Sequence, residues 1–166
     1  MLTWTLLFTN ARYTVAHPAH EKFNYDIVEL HEFFVSWFRG EVEKSDEYFQ
    51  QRFTARFADN FEYILPGGEL LQLNALTDML QGAYASSPEF KMNIRDVHSK
   101  NAADTDLAMV NYLELQTGAL NSSANNARIS SALMKLDDAT PNGVLWLNLH
   151  ETWLDETTLD RQWFDF

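Results

Sequence analysis

The chain predicts an α+β domain in which two or three N-terminal helices cover one face of a mostly antiparallel sheet. Three observations carry that reading. Apolar residues recur at spacings of three and four between Asp26 and Gly40. Four segments of β-like composition follow one another in the second half of the chain. Turn-rich stretches, "GALNSSANNA" and "DATPNG", separate the last three of them. At 166 residues, with 46% hydrophobic and 14% aromatic content, the chain suits a single well-filled core.

The elements follow in order. Asp26 and Glu29 read as an acidic helix start, Ile27, Leu30, Phe34 and Trp37 share one helical face, and Gly40 marks the stop. Ser45 caps a shorter helix whose first turn carries Asp46 and Glu47, which suits the helix dipole. "FEYILPGG" reads as a strand entering a Pro-Gly-Gly turn. A third helix is expected from about Asn74 to Ala85, ending before "SSPE". "KMNIRDVHS", "LAMVNYLELQTG", "ARISSALMKLDD" and "VLWLNLHETWLD" are the strands, the last three forming an antiparallel meander.

A net charge of −12 argues against nucleic acid or an anionic membrane as partner, since both require a basic surface. The absence of cysteine excludes disulfides, thiolate nucleophiles and Cys-ligated metals. No lysine or arginine precedes Arg12, so "MLTWTLLFTN" makes a poor secretory signal, and its apolar run is too short to span a bilayer. It reads as an extra strand or arm, and the cytoplasm is the expected compartment. "HPAH", from His17 to His20, offers only two close ligands even with His31 nearby, so neither a metal nor a cofactor is expected.

The order of elements, with "RFADNFEYILPGG" and "LWLNLHETWL", resembles the NTF2-like superfamily, the cystatin-like α+β cone, and within it the SnoaL-like and DUF4440-like proteins. The resemblance covers roughly Tyr25 to Asp155. It divides the chain into an arm (1–24), the cone (25–155) and a tail (156–166). Members of that superfamily include isomerases, dehydratases, hydrolases and non-catalytic association domains, so the fold alone names no reaction. Its ketosteroid isomerases need an aspartate base, a tyrosine and a protonated aspartic acid. Alignment puts Leu65, Phe33 and Ala132 at those places, and none of the three can move a proton.

The same alignment implies which side chains face the cone. Leu65 inward carries Tyr63 with it, and Ala132 inward carries Arg128, Ser130 and Met134. In the last strand it implies that Asn148, His150 and Thr152 face inward, and that Leu145, Leu147, Leu149 and Glu151 face outward. Phe33 and Trp37 complete the implied pocket wall. His150 is then the candidate base, with Arg128 to bind a developing anion; the plainer alternative is a hydrogen-bonded histidine with no chemistry. The outer leucines imply a homodimer interface, as relatives often dimerise there.

The resulting expectation is a cone that binds a small organic molecule in an apolar pocket, with no named reaction. One alternative is a lyase or isomerase acting on a small carbonyl compound through His150. Another is an association domain with no catalytic role.

Overall fold

The computed structural model describes residues 18–119, 122–155 and 164–166. Helix α1 (Pro18–Arg39) comes first, then α2 (Asp46–Arg52), a 3-10 turn (Thr54–Arg56), strand β1 (Phe57–Ile64) and the short β2 (Leu70–Gln72). Helix α3 (Leu73–Gly82) precedes four long strands: β3 (Lys91–Asn101), β4 (Leu107–Thr117), β5 (Asn126–Leu136) and β6 (Val144–Trp153). The strands form one sheet in the order β2-β1-β6-β5-β4-β3, in which only β1 and β6 run parallel. The α+β class and the meander expected from the sequence are both present.

Helix α1 starts at Pro18, eight residues before the expected Asp26. A proline fits the first turn of a helix, where its missing N–H is not needed. A boundary at residue 24 therefore falls inside this helix. The expected strand or arm over the first residues lies outside the described residues, as does most of the 156–166 tail.

Gly40 does end α1, with φ of +71°, and its N–H returns to the Trp37 carbonyl while the Glu41 N–H returns to that of Ser36. A Cβ at Gly40 would sit 2.7 Å from the Ala85 Cβ, so the glycine also lets the α3–β3 connection pass close by. Ser45 caps α2 as expected, its side chain accepting from the Tyr48 N–H.

Asp26 and Glu29 are not a helix start. Asp26 is fully buried, and its carboxylate accepts from Arg56 at 2.6 Å, Asn142 at 2.8 Å and the Trp146 indole N–H at 2.6 Å. Glu29 accepts from Arg56, Arg52 and Asn142. One ionic cluster thus ties α1 to the 3-10 turn, to the β5–β6 turn and to β6. Burial, helped by the negative charge of Glu29, raises the Asp26 carboxyl above its ordinary value despite Arg56 and the two side-chain donors.

The core lies between the helices and the concave sheet face. Phe33, Phe49, Phe53, Phe57 and Phe61 form a run of ring contacts with centroids 4.6 to 5.7 Å apart along successive pairs, and Trp146 joins it at Phe57, 5.7 Å away. The Trp37 indole N–H donates to the Leu80 carbonyl at 2.8 Å, which fixes α3 against α1.

Candidate functional site

The sheet and the helices enclose a pocket of about 310 Å³. Leu30, Phe34, Phe38, Leu76, Leu80 and Phe90 supply much of its apolar wall. Its floor is polar, and the strand register explains the arrangement. Tyr112 pairs with Ser130, which pairs with Glu151. One step along, Glu114 pairs with Arg128, which pairs with Trp153. Those six side chains share the concave face because paired residues on neighbouring strands project to the same side.

Arg128 is the hub. Its NH2 group lies 2.8 Å from Glu114 Oε1, and its NH1 group lies 2.7 Å from Glu151 Oε2. The Tyr63 hydroxyl donates to Glu151 at 2.5 Å, and the Ser130 hydroxyl to the other oxygen at 3.1 Å. Glu114 also accepts from Gln116 Nε2 at 2.6 Å and meets His31 Nε2 at 3.2 Å. His31 Nδ1 donates to the Ile27 carbonyl at 2.6 Å, so both ring nitrogens face acceptors.

The two carboxyls are pushed apart. Burial would raise Glu114, but the Arg128 charge and the hydrogen bond and charge of His31 outweigh it and hold the carboxyl at about 2. Glu151 goes the other way, raised by burial and by the negative charge of Glu114 against the opposing pull of Arg128. Burial and Glu151 together raise the Tyr63 phenol, which stays a donor. The guanidinium of Arg128, despite its burial, is held protonated by both glutamates and lies 5.3 Å from the centre of the Trp153 ring.

The last strand corrects the inward face read from the sequence. Leu133 pairs with Asn148, but Met134 pairs with Trp146, so Leu147 is an extra residue, a β-bulge. Trp146 faces the core as the alternation implies. Beyond the bulge the phase reverses: Leu149, Glu151 and Trp153 line the pocket, while His150 is exposed and shares the outer face with Ser131 and Asn111. His150 therefore stands away from the pocket and from Arg128, and Asn148 and Thr152 go with it. Leu149 likewise leaves the expected outer interface.

The remaining expected wall residues divide. Tyr63, Leu65 and Arg128 line the pocket. Ser130 supports it through Glu151. Phe33, Trp37, Ala132 and Met134 are buried in the core and do not line the pocket. Glu114, Gln116, Tyr112 and His31 were not selected from the sequence as site residues; His31 entered only as a third partner for "HPAH". Counting outward from "GALNSSANNA" would set Glu114 opposite Ser131, three residues from the Arg128 that the observed β4–β5 register places there. Among the described residues, no three His, Cys, Asp or Glu side chains converge as a metal-holding group.

The family model for the sucrose-6-phosphate phosphohydrolase C-terminal region matches residues 23–155, four-fifths of the chain. The chain belongs to that family. Its sequence is 28% identical over 149 residues to a probable sucrose-phosphatase 3a of Arabidopsis thaliana, a match covering 88% of this chain. It spans only 32% of that relative's length.

Solved structures confirm the NTF2-like, cystatin-like fold. An NTF2-like protein of unknown function from Pseudomonas aeruginosa superposes with a TM-score of 0.69 at 23% identity, covering 81% of this chain and 99% of that one. The CaMKII hub of S. rosetta gives 0.64 at 17%, covering 84% and 98%. A dehydratase-like member from Streptomyces avermitilis gives 0.60 at 14%, covering 81% and 95%. These matches do not single out the SnoaL-like and DUF4440-like members expected from the sequence. Among the described residues, no helix is long and apolar enough to cross a membrane.

Proposed function

We propose that this sucrose-phosphatase-type C-terminal domain binds a small, mostly apolar organic molecule in the cone. One observation carries the reading: the 310 Å³ pocket has an aromatic and aliphatic wall, and its charged floor is largely self-paired. Apolar pockets of about 300–1,000 Å³ with a few polar groups are the usual form of small-ligand sites. A sugar fits this floor poorly. Its many hydroxyls need free partners, while those of Glu114 and Glu151 are taken by Arg128, Gln116, Ser130 and Tyr63. The sugar-phosphate chemistry in the family's name is accordingly left to the remainder of such proteins.

The test is titration with 2-ethylnaphthalene, an apolar probe of suitable size, followed by ligand-observed NMR. Wild type should bind it at one site. Leu149→Trp, which fills the pocket from β6, should abolish binding while keeping the fold. Equal binding by both proteins would refute the site.

A second reading is acid–base catalysis, favoured by the opposite shifts of Glu114 and Glu151. The proton-transferring group would be Glu151, at the pocket floor, in place of His150. Turnover of a carbonyl substrate lost in Glu151→Gln but kept in His150→Ala would support it.

Self-association remains a proposal for the outer sheet face, where Met109 and Ile129 are 44% and 47% exposed and which also carries Leu145 of β6. Ile129→Glu should then convert a dimer to a monomer in sedimentation. An unchanged sedimentation coefficient would exclude that face.

A further inference from the structure

We infer that the molecule bound in this pocket presents an uncharged carbonyl-type oxygen to the Tyr112 hydroxyl. The inference rests on the proposed binding function and specifies the ligand's polar end. Tyr112 lines the pocket and is 2% exposed, yet its hydroxyl has no hydrogen-bond partner among the described residues. A buried hydroxyl left in that state keeps its desolvation penalty with nothing to offset it. The other hydroxyls at the floor are committed: Tyr63 and Ser130 both donate to Glu151. Ser130 stands opposite Tyr112 across the β4–β5 pair, near enough for its hydroxyl to act on the phenol, but that hydroxyl donates to Glu151 Oε1 and makes no well-formed hydrogen bond with Tyr112.

The missing partner must be an acceptor. Burial and the nearby charges of Glu114 and Glu151 raise the Tyr112 phenol well above its ordinary value, so it keeps its proton. Those two glutamates also set the ligand's charge. The guanidinium of Arg128 is paired with both of them, which leaves an anionic ligand close to two carboxylates without a free counter-charge. Arg128 Nε, also unpartnered and buried, is a second donor that a neutral oxygen can use. A ketone, ester or amide oxygen on an apolar body meets all of these conditions.

Three probes of one shape separate the possibilities: 2-acetylnaphthalene, 2-ethylnaphthalene and 2-naphthoate, each titrated into wild type and Tyr112→Phe. The substitution removes an unsatisfied buried group, so the variant should fold at least as stably as wild type. In wild type the ketone should bind about fivefold more tightly than the hydrocarbon, the scale of one hydrogen bond. Tyr112→Phe should erase that advantage and leave the hydrocarbon's affinity unchanged.

A ketone that binds no better than the hydrocarbon, or keeps its advantage in the variant, overturns the inference and leaves the pocket intact. Tightest binding by 2-naphthoate overturns the uncharged assignment. If none of the probes binds, the binding function fails, and this inference with it.

Discussion

Glu151 Oε2 receives two donors from two different strands, the Tyr63 hydroxyl at 2.5 Å and Arg128 NH1 at 2.7 Å. The parallel β1–β6 pair and the antiparallel β5–β6 pair converge on that one oxygen. Arg128 passes the connection on to Glu114 and so to His31 on α1. The floor of the pocket is therefore also a fastener between sheet and helix.

Removing the hub should cost more than removing either carboxylate. Arg128→Met leaves two buried carboxylates facing one another and should lose about 3–5 kcal/mol of stability in urea unfolding. Glu151→Gln keeps the shape and some hydrogen bonds and should lose about 1–3 kcal/mol. The reverse ranking would mean that the network contributes little to the fold.

Acid should act through Glu114 and Glu29. Both have an ordinary value of 4.5 and are held at about 2 in the fold. For Glu29, burial is outweighed by its bonds to Asn142, Arg56 and Arg52. A depressed carboxyl contributes stability that is complete above its unfolded value and lost as the pH falls toward the folded one. Unfolding midpoints should therefore drop between about pH 4.5 and 2, and Glu114→Gln should flatten that acid limb. Glu151 has the opposite sign. Because its folded carboxyl is raised by burial and by Glu114, its contribution is fully present below 4.5 and declines as the pH rises through its folded value. Asp26, also raised, acts in the same sense, so Glu151→Gln should shrink that decline; a decline of unchanged size would contradict the role given to Glu151.

The bulge at Leu147 is testable by chemistry, because the chain has no cysteine. A thiol reagent should label His150→Cys quickly in the folded protein. At Glu151→Cys, labelling should wait for opening of the structure. Equal rates, or the reverse order, would place His150 inside and restore the uninterrupted alternation.

The ionic cluster on α1 should be structural. Trp146→Phe removes the indole donor from the buried Asp26 carboxylate and should cost about 1–3 kcal/mol. Arg56→Met strips both Asp26 and Glu29 of their shared cation and should cost about 3–5 kcal/mol. Arg56→Met should leave binding of the naphthalene probes unaltered, since Arg56, Asp26 and Glu29 lie outside the pocket lining. Trp146 lines the pocket, and its variant is read by stability alone.

Much of this fold was legible because local signals agree with the tertiary arrangement. The stop at Gly40, the cap at Ser45 and the turns bounding the meander follow from backbone chemistry that needs no partner. So does the shared inward face of Arg128, Ser130, Ala132 and Met134, which lies on an unbroken alternation. His150 was misplaced because one inserted residue reverses the phase of everything after it, and a leucine at the bulge looks like any other strand leucine. Glu151 was misplaced by the same step. Asp26 and Glu29 read as capping residues because their neutralising partners, Arg56 and Asn142, are 30 and 116 residues from Asp26. Glu114 could not be placed on a face from local pattern, as its charge partners, Arg128 and His31, come from β5 and α1.

Native mass spectrometry of the freshly purified protein, compared with Leu149→Trp, addresses the binding function most directly. Wild type should carry an additional small-molecule mass that survives gentle desolvation and disappears on collisional heating, and the pocket-filled variant should lack it. A wild-type protein without adduct that also fails to take up 2-ethylnaphthalene, or an adduct equally present in Leu149→Trp, would contradict the assignment of this pocket as a ligand site.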